Sequence, residues 1–272
     1  MSESSSHQSL PALLASMKAS DDVSSVSIPD NWLQGRAVYG GLSAALCLQA
    51  TLDMFDDLPP LRSAQLSFIG PGGGDVELRP RVLRRGKSTA FIDVDMSAAG
   101  EPTARALFCF GAPRESGLAH LQLPAPDVAD ATDCGPFFED SQGRNRGPNF
   151  ASNFNSRSAA GALPMSGAES PDFTVWMQHK QADINPVIIG LVALADALPP
   201  AAMACFDKPA PVSSITWHFD MLMPEPATTD HWWLCRSQAE SIGEGYASQA
   251  MTIWNADRQP VMVGRQNVAV FY

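Results

Sequence analysis

The chain has 272 residues, enough for one large domain or two ordinary ones, and its 45% hydrophobic and 17% charged side chains suit a globular protein with a core. A formal net charge of −11 argues against a nucleic-acid surface, because phosphate binding needs clustered Lys and Arg. Five scattered cysteines, with no CxxC or Cys/His cluster, indicate neither a disulfide framework nor a metal site.

The first 20 residues are Ser-rich and are expected to be loosely held, with none of the basic and apolar regions of a signal peptide. Val23 to Pro29 alternates and predicts a short strand. Asp30-Asn31-Trp32 leads to Tyr39-Gly40-Gly41, after which Leu42 to Phe55 has helical spacing and is stopped by Asp56, Asp57, Pro59 and Pro60. Four strand-like runs follow, at 62–69, 76–83, 90–96 and 103–110. Pro71-Gly72-Gly73-Gly74, Gly86 and Ala99-Gly100-Glu101 separate them. One helix followed by antiparallel strands is an α+β unit.

Residues 116–169, rich in Ser, Gly, Ala, Pro and Asn, read as a linker crossing a surface. Then the first pattern returns. Phe173 to Gln178 alternates, and Asn185-Pro186 suits a helix start. Val187 to Leu198 is the helix, ended by Pro199-Pro200; it is the longest apolar stretch, yet too short to cross a bilayer, and it contains Asp196. Strand-like runs follow at 213–222, 232–240, 246–254 and 261–271. Shared order and punctuation indicate a duplicated unit, residues 20–115 and 170–272 about the linker 116–169. A cytoplasmic chain is the expectation.

The residues also carry a resemblance. The first half, through Gln34-Gly35-Arg36-Ala37-Val38-Tyr39-Gly40-Gly41, the run 62–71 and Val82-Leu83-Arg84-Arg85-Gly86-Lys87-Ser88, resembles the N-terminal hotdog domain of the type II acyl-CoA thioesterases. The second half resembles the C-terminal hotdog of that family in Val175-Trp176-Met177, Leu194-Ala195-Asp196, Thr216-Trp217-His218-Phe219 and the last strand through Gln266. The resemblance implies a double hotdog: two helices, each wrapped by an antiparallel sheet, with the sheets joined side by side. It also implies hydrolysis of an acyl-CoA to free acid and CoA by an aspartate-activated water, without a cofactor. Fused hotdogs often associate further, so a homo-oligomer is an open expectation.

Thioester hydrolysis requires an activated water and a polarised carbonyl. Asp196 stands in an otherwise apolar helix, with Ile189 and Val192 on its face, where a carboxylate is costly unless paired or used. Spacing alone leaves open that it points to solvent at the helix end; the family's catalytic aspartate falls on this position. Gln266, a polar residue of the last strand, falls on the family's catalytic glutamine. The family's threonine falls on Val212, which cannot donate a hydrogen bond. Ser214 and Thr216, on the same face if the strand is regular, are the substitutes.

Gly40 and Gly41 permit either close backbone approach to a ligand or a tight turn. Arg84, Arg85 and Lys87 read either as a CoA phosphate contact or as a solvated strand face. His179 and His218 have no metal or triad spacing and read as structural or surface residues. Two rival functions stand beside hydrolysis. One is a binding protein for acyl-CoA or another hydrophobic ligand, given the missing threonine. The other is a hotdog enoyl-CoA hydratase, since Asp183-Ile184-Asn185-Pro186 resembles that motif but lacks the histidine that follows it.

Overall fold

The alternating runs become strands of one antiparallel sheet, and the two runs predicted as helices become the helices it wraps. The computed structural model describes residues 7–140, 142–181 and 184–272. Its first half comprises α1 (Leu10–Ala15), β1 (Lys18–Ser20), β2 (Val23–Ser27), β3 (Leu33–Gln34), β4 (Ala37–Val38), α2 (Gly40–Met54), β5 (Leu61–Phe68), β6 (Asp75–Arg85), β7 (Thr89–Ala98) and β8 (Glu101–Gly111). The second comprises β9 (Gly135–Pro136), β10 (Phe154–Gly161), β11 (Asp172–His179), α3 (Val187–Ala195), β12 (Val212–Met221), β13 (Trp233–Gly243), β14 (Tyr246–Asn255) and β15 (Pro260–Val270).

The sheet runs β1-β2-β6-β7-β8-β5-β12-β15-β14-β13-β11-β10-β9. From the outside inward, the main strands of each half come in the same order: β2-β6-β7-β8-β5 on one side and β11-β13-β14-β15-β12 on the other. β5 and β12 meet in the middle, with Thr216 opposite Ser67 and Asp220 opposite Ser63. Two α+β units therefore share one sheet across an internal two-fold, which is the double hotdog that the resemblance implies.

α3 is apolar on every side, as a wrapped helix can be, and α2 is mostly so, with Gln49 and Asp53 near its end as its outward polar residues. Residues 41–48 of α2 and 189–195 of α3 are buried without interruption. Leu42, Leu46 and Leu48 are fully buried, each contributing on the order of 2 kcal/mol. The start of α2 lies against the end of α3. A Cβ on Gly41 would fall 2.5 Å from the Ala193 carbonyl oxygen, so only glycine permits this approach.

Two expectations about irregular segments change. Within the Ser-rich start, Ser9 caps α1, whose Leu10 and Leu13 are buried, so this part is docked rather than loose. In the stretch 116–169, Leu123 and Ala129 accept hydrogen bonds from the Trp254 and Trp176 indoles on the outer face of the sheet. The stretch also contributes β9 and β10 to the sheet, β10 pairing with β11. Phe150 stacks on Tyr39 at 3.9 Å, and Asn31 and Asn153 exchange hydrogen bonds of 2.7 and 2.8 Å. Apart from the inward-facing Phe154, β10 holds only Asn, Ser, Arg, Ala and Gly, which hides that strand from a composition-based reading. Among the described residues no helix is long and apolar enough to cross a membrane.

Candidate active site

The junction between the start of α2 and the end of α3 holds a buried carboxylate. Asp196 is the residue that ends α3, only 9% exposed, and it faces a cavity of about 340 Å³. Gly40, Ser43, Phe68, Ile69, Thr103 and Ser214 are among its other walls. The end of a helix is a poor place for an anion, but the start of the neighbouring helix is a good one. The Gly41 backbone N–H donates to the Asp196 carboxylate. Gly40 gives the carboxylate room: a Cβ there would fall 2.5 Å from Asp196 Oδ2 and 3.0 Å from the Phe68 ring, so those side chains would have to shift.

Burial pushes the Asp196 carboxyl up to about 7, against the opposing effects of the Gln266 hydrogen bond and the Gly41 N–H. Gln266, 3% exposed on β15, donates from Nε2 to Asp196 Oδ1 at 2.7 Å and to Ser214 Oγ at 3.1 Å. Asp196, Gln266 and Ser214 thus form one connected group. Because Ser214 Oγ accepts from Gln266, its own hydrogen is left to be given elsewhere. Val212 lines the cavity beside it, and Ser214, two residues on, brings a hydroxyl to the same wall.

Thr216 does not join them. The β12–β15 register shifts between Ser214 and Thr216, opposite Val268 and Asn267, so Ile215 is the extra residue of a bulge. The alternation is reset there: Trp217 and Phe219 point inward, while Thr216 is exposed on the outer face beside Ser67 and His218. Regular alternation, on which the Thr216 expectation rested, fails at this residue.

The basic cluster is also elsewhere. Arg85 donates to the carbonyls of Asp56 and Asp57, just beyond the end of α2, and Arg84 and Lys87 are exposed on the same β6–β7 turn. The cavity lies at the other end of this 15-residue helix, about 22 Å away at 1.5 Å per residue. The basic residue flanked by cavity-lining positions is Arg36, exposed between Gln34 and Ala37.

His179 is a packed residue. Its Nε2 lies 2.8 Å from the Gly190 carbonyl oxygen, and burial pulls its pKa down to about 4, leaving a neutral ring that donates from Nε2. His218 lies on the outer face, 3.3 Å from Asp220. Asp183 of the hydratase-like motif lies outside the described residues. No metal-binding cluster of His, Cys, Asp and Glu is found among the described residues.

The residue reading missed Ser43, Tyr39 and Gln249. Tyr39 Oη donates to the Ala193 carbonyl at 2.8 Å; burial, then the Asp196 charge, keep this phenol protonated. Ser43 is a buried polar residue of α2 that lines the cavity. Gln249 is a polar residue in the inward stripe Ala247, Gln249, Met251 and Ile253 of β14, and that break in an apolar stripe is the signal that could have found it.

Comparison with known proteins follows the same line. A domain described as the acyl-CoA thioesterase N-terminal domain matches residues 28–111, and one described as the acyl-CoA thioesterase C-terminal domain matches residues 125–270. The structure is similar to a hot dog fold protein of unknown function from Alicyclobacillus acidocaldarius, with a TM-score of 0.83 at 19% identity over 96% of this chain and 97% of that one. It is also similar to an acyl-CoA thioesterase II from Mycobacterium marinum, with a TM-score of 0.75 at 18% identity over 95% and 97% of the two chains. At these identities the structural likeness shows the fold alone. No curated protein matches the sequence.

Proposed function

The chain belongs to the acyl-CoA thioesterase family, and from that premise we propose that it hydrolyses acyl-CoA thioesters with Asp196 as general base. One observation carries the reading. Asp196 is a buried carboxylate on a cavity, held by an amide, with its pKa raised to about 7. A base poised there can accept a proton and later return it near neutral pH.

The ionised carboxylate takes a proton from a water as the water oxygen attacks the thioester carbonyl carbon. Gln266 fixes the carboxylate, and the Ser214 hydroxyl hydrogen orients the attacking water. Neither adds a second negative charge. The carbonyl oxygen gains charge against the first turn of α2, where helix N–H groups have no partner within the helix. When the carbon–sulfur bond breaks, the proton held by Asp196 passes to the leaving CoA sulfur. The products are a free acid and CoA.

The test is release of free thiol from acyl-CoAs of graded chain length. Steady turnover is expected, with a rate that rises with pH through about 7 as Asp196 ionises. Tight binding without thiol release would replace this reading with that of an acyl-CoA-binding protein.

A further inference from the structure

Resting on Asp196 as the base, we infer that Gln249 is a positioning residue: it fixes which end of the Gln266 amide faces Asp196. An amide side chain presents an acceptor at one end and a donor at the other, so a glutamine beside a catalytic carboxylate works in only one of its two orientations. Turned over, Gln266 would set its oxygen against Asp196. Something has to choose.

The choice starts at a backbone N–H, which has no second orientation. The Ala201 N–H, in the turn that follows α3, points at Gln249 at 2.8 Å and can only donate. The Gln249 atom that receives it is therefore Oε1. Gln249 Nε2 must then face Gln266, where it donates to Oε1 at 2.7 Å. This leaves Gln266 Nε2 for Asp196 Oδ1 at 2.7 Å and Ser214 Oγ at 3.1 Å. Each link permits one orientation of the next, from a peptide group to the carboxylate.

Strand register makes the chain possible. Gln249 lies directly opposite Gln266 in the β14–β15 pairing, and both point inward. Gln249 is fully buried and is not among the residues lining the cavity. A buried amide is costly unless each of its groups is satisfied, so its hydrogen bonds define its state. Gln249 thus acts on the reaction through Gln266 without touching substrate.

Two variants test this by steady-state kinetics across pH. Gln249→Met keeps the volume and removes both ends of the amide. With Gln266 free to turn, kcat should fall about tenfold with KM unchanged. The acidic limb of the kcat profile should move up by about one pH unit, since a hydrogen bond to the charged form is lost. Gln249→Glu keeps an acceptor for the Ala201 N–H, and so the anchor of that turn, but its ionised form cannot donate to Gln266. Its kcat plateau above the limb should fall about tenfold, which added negative charge alone would not cause. If Gln249→Met fails to fold, that plateau decides. Wild-type kcat and an unmoved limb in Gln249→Met, or a wild-type plateau in Gln249→Glu, would overturn the role while Asp196→Asn remains inactive. Full turnover by Asp196→Asn would overturn the base itself, and this role with it.

Discussion

At the scale of single residues, the site is defined by what its neighbours leave room for. Glycine at position 40 leaves Asp196 Oδ2 the space that a Cβ would crowd to 2.5 Å, so the glycine pair entering α2 makes room for the carboxylate and the adjoining helix. The raised pKa of Asp196 has a thermodynamic consequence. The carboxyl titrates near 7 in the fold against 3.8 ordinarily, so the native state holds a proton that the unfolded chain has released. Its contribution to stability is full below about 3.8 and is lost as pH rises to about 7. A shift of that size corresponds to roughly 4 kcal/mol. Asp196→Asn has no charge to bury, so its stability should gain on wild type across that window. Thermal melts at pH 5 and pH 8 check this: the advantage of the variant should be larger at pH 8, and a constant difference would contradict the burial account.

At the scale of elements, the bulge at Ile215 decides which hydroxyl reaches the site. Ser214→Ala removes an acceptor for Gln266 and a donor to the cavity, and should cost roughly tenfold or more in kcat. Thr216→Ala, on the outer face, should leave kcat within about twofold. Equal losses in thiol-release assays of the two variants would mean that the bulge is misplaced. The predicted strands and both wrapped helices were legible because period-2 alternation and helical apolar spacing are local, and their ends fall within two or three residues of expectation. Asp196 was legible as a carboxylate in apolar company, and Gln266 only through the family resemblance. The bulge was not, since one extra residue leaves no local mark and only its partner strand reveals it. The place of the basic cluster was hidden for a related reason: Arg84, Arg85 and Lys87 are adjacent in sequence, but which end of α2 they meet depends on strand direction.

At the scale of the whole molecule, two matching halves share a sheet, yet their buried acids are treated differently. Asp93, on β7, is enclosed by Arg81 and Arg105, which hold its carboxyl below the usual range against the effect of burial. Asp196, where the two halves meet, has amide and peptide donors among the described residues and no cation. A buried charge paired with a cation is a structural device; one left without a cation beside a cavity is costly and needs a use. The net charge of −11 also works against long-range attraction of an anionic substrate, so recognition must be local to the cavity. The central claim is that this unpaired carboxylate carries the reaction. Its most direct test is free-thiol release from an acyl-CoA by folded Asp196→Asn beside wild type. A loss of about a hundredfold or more in kcat with substrate binding retained is expected; turnover within a few fold of wild type would rule Asp196 out as the base.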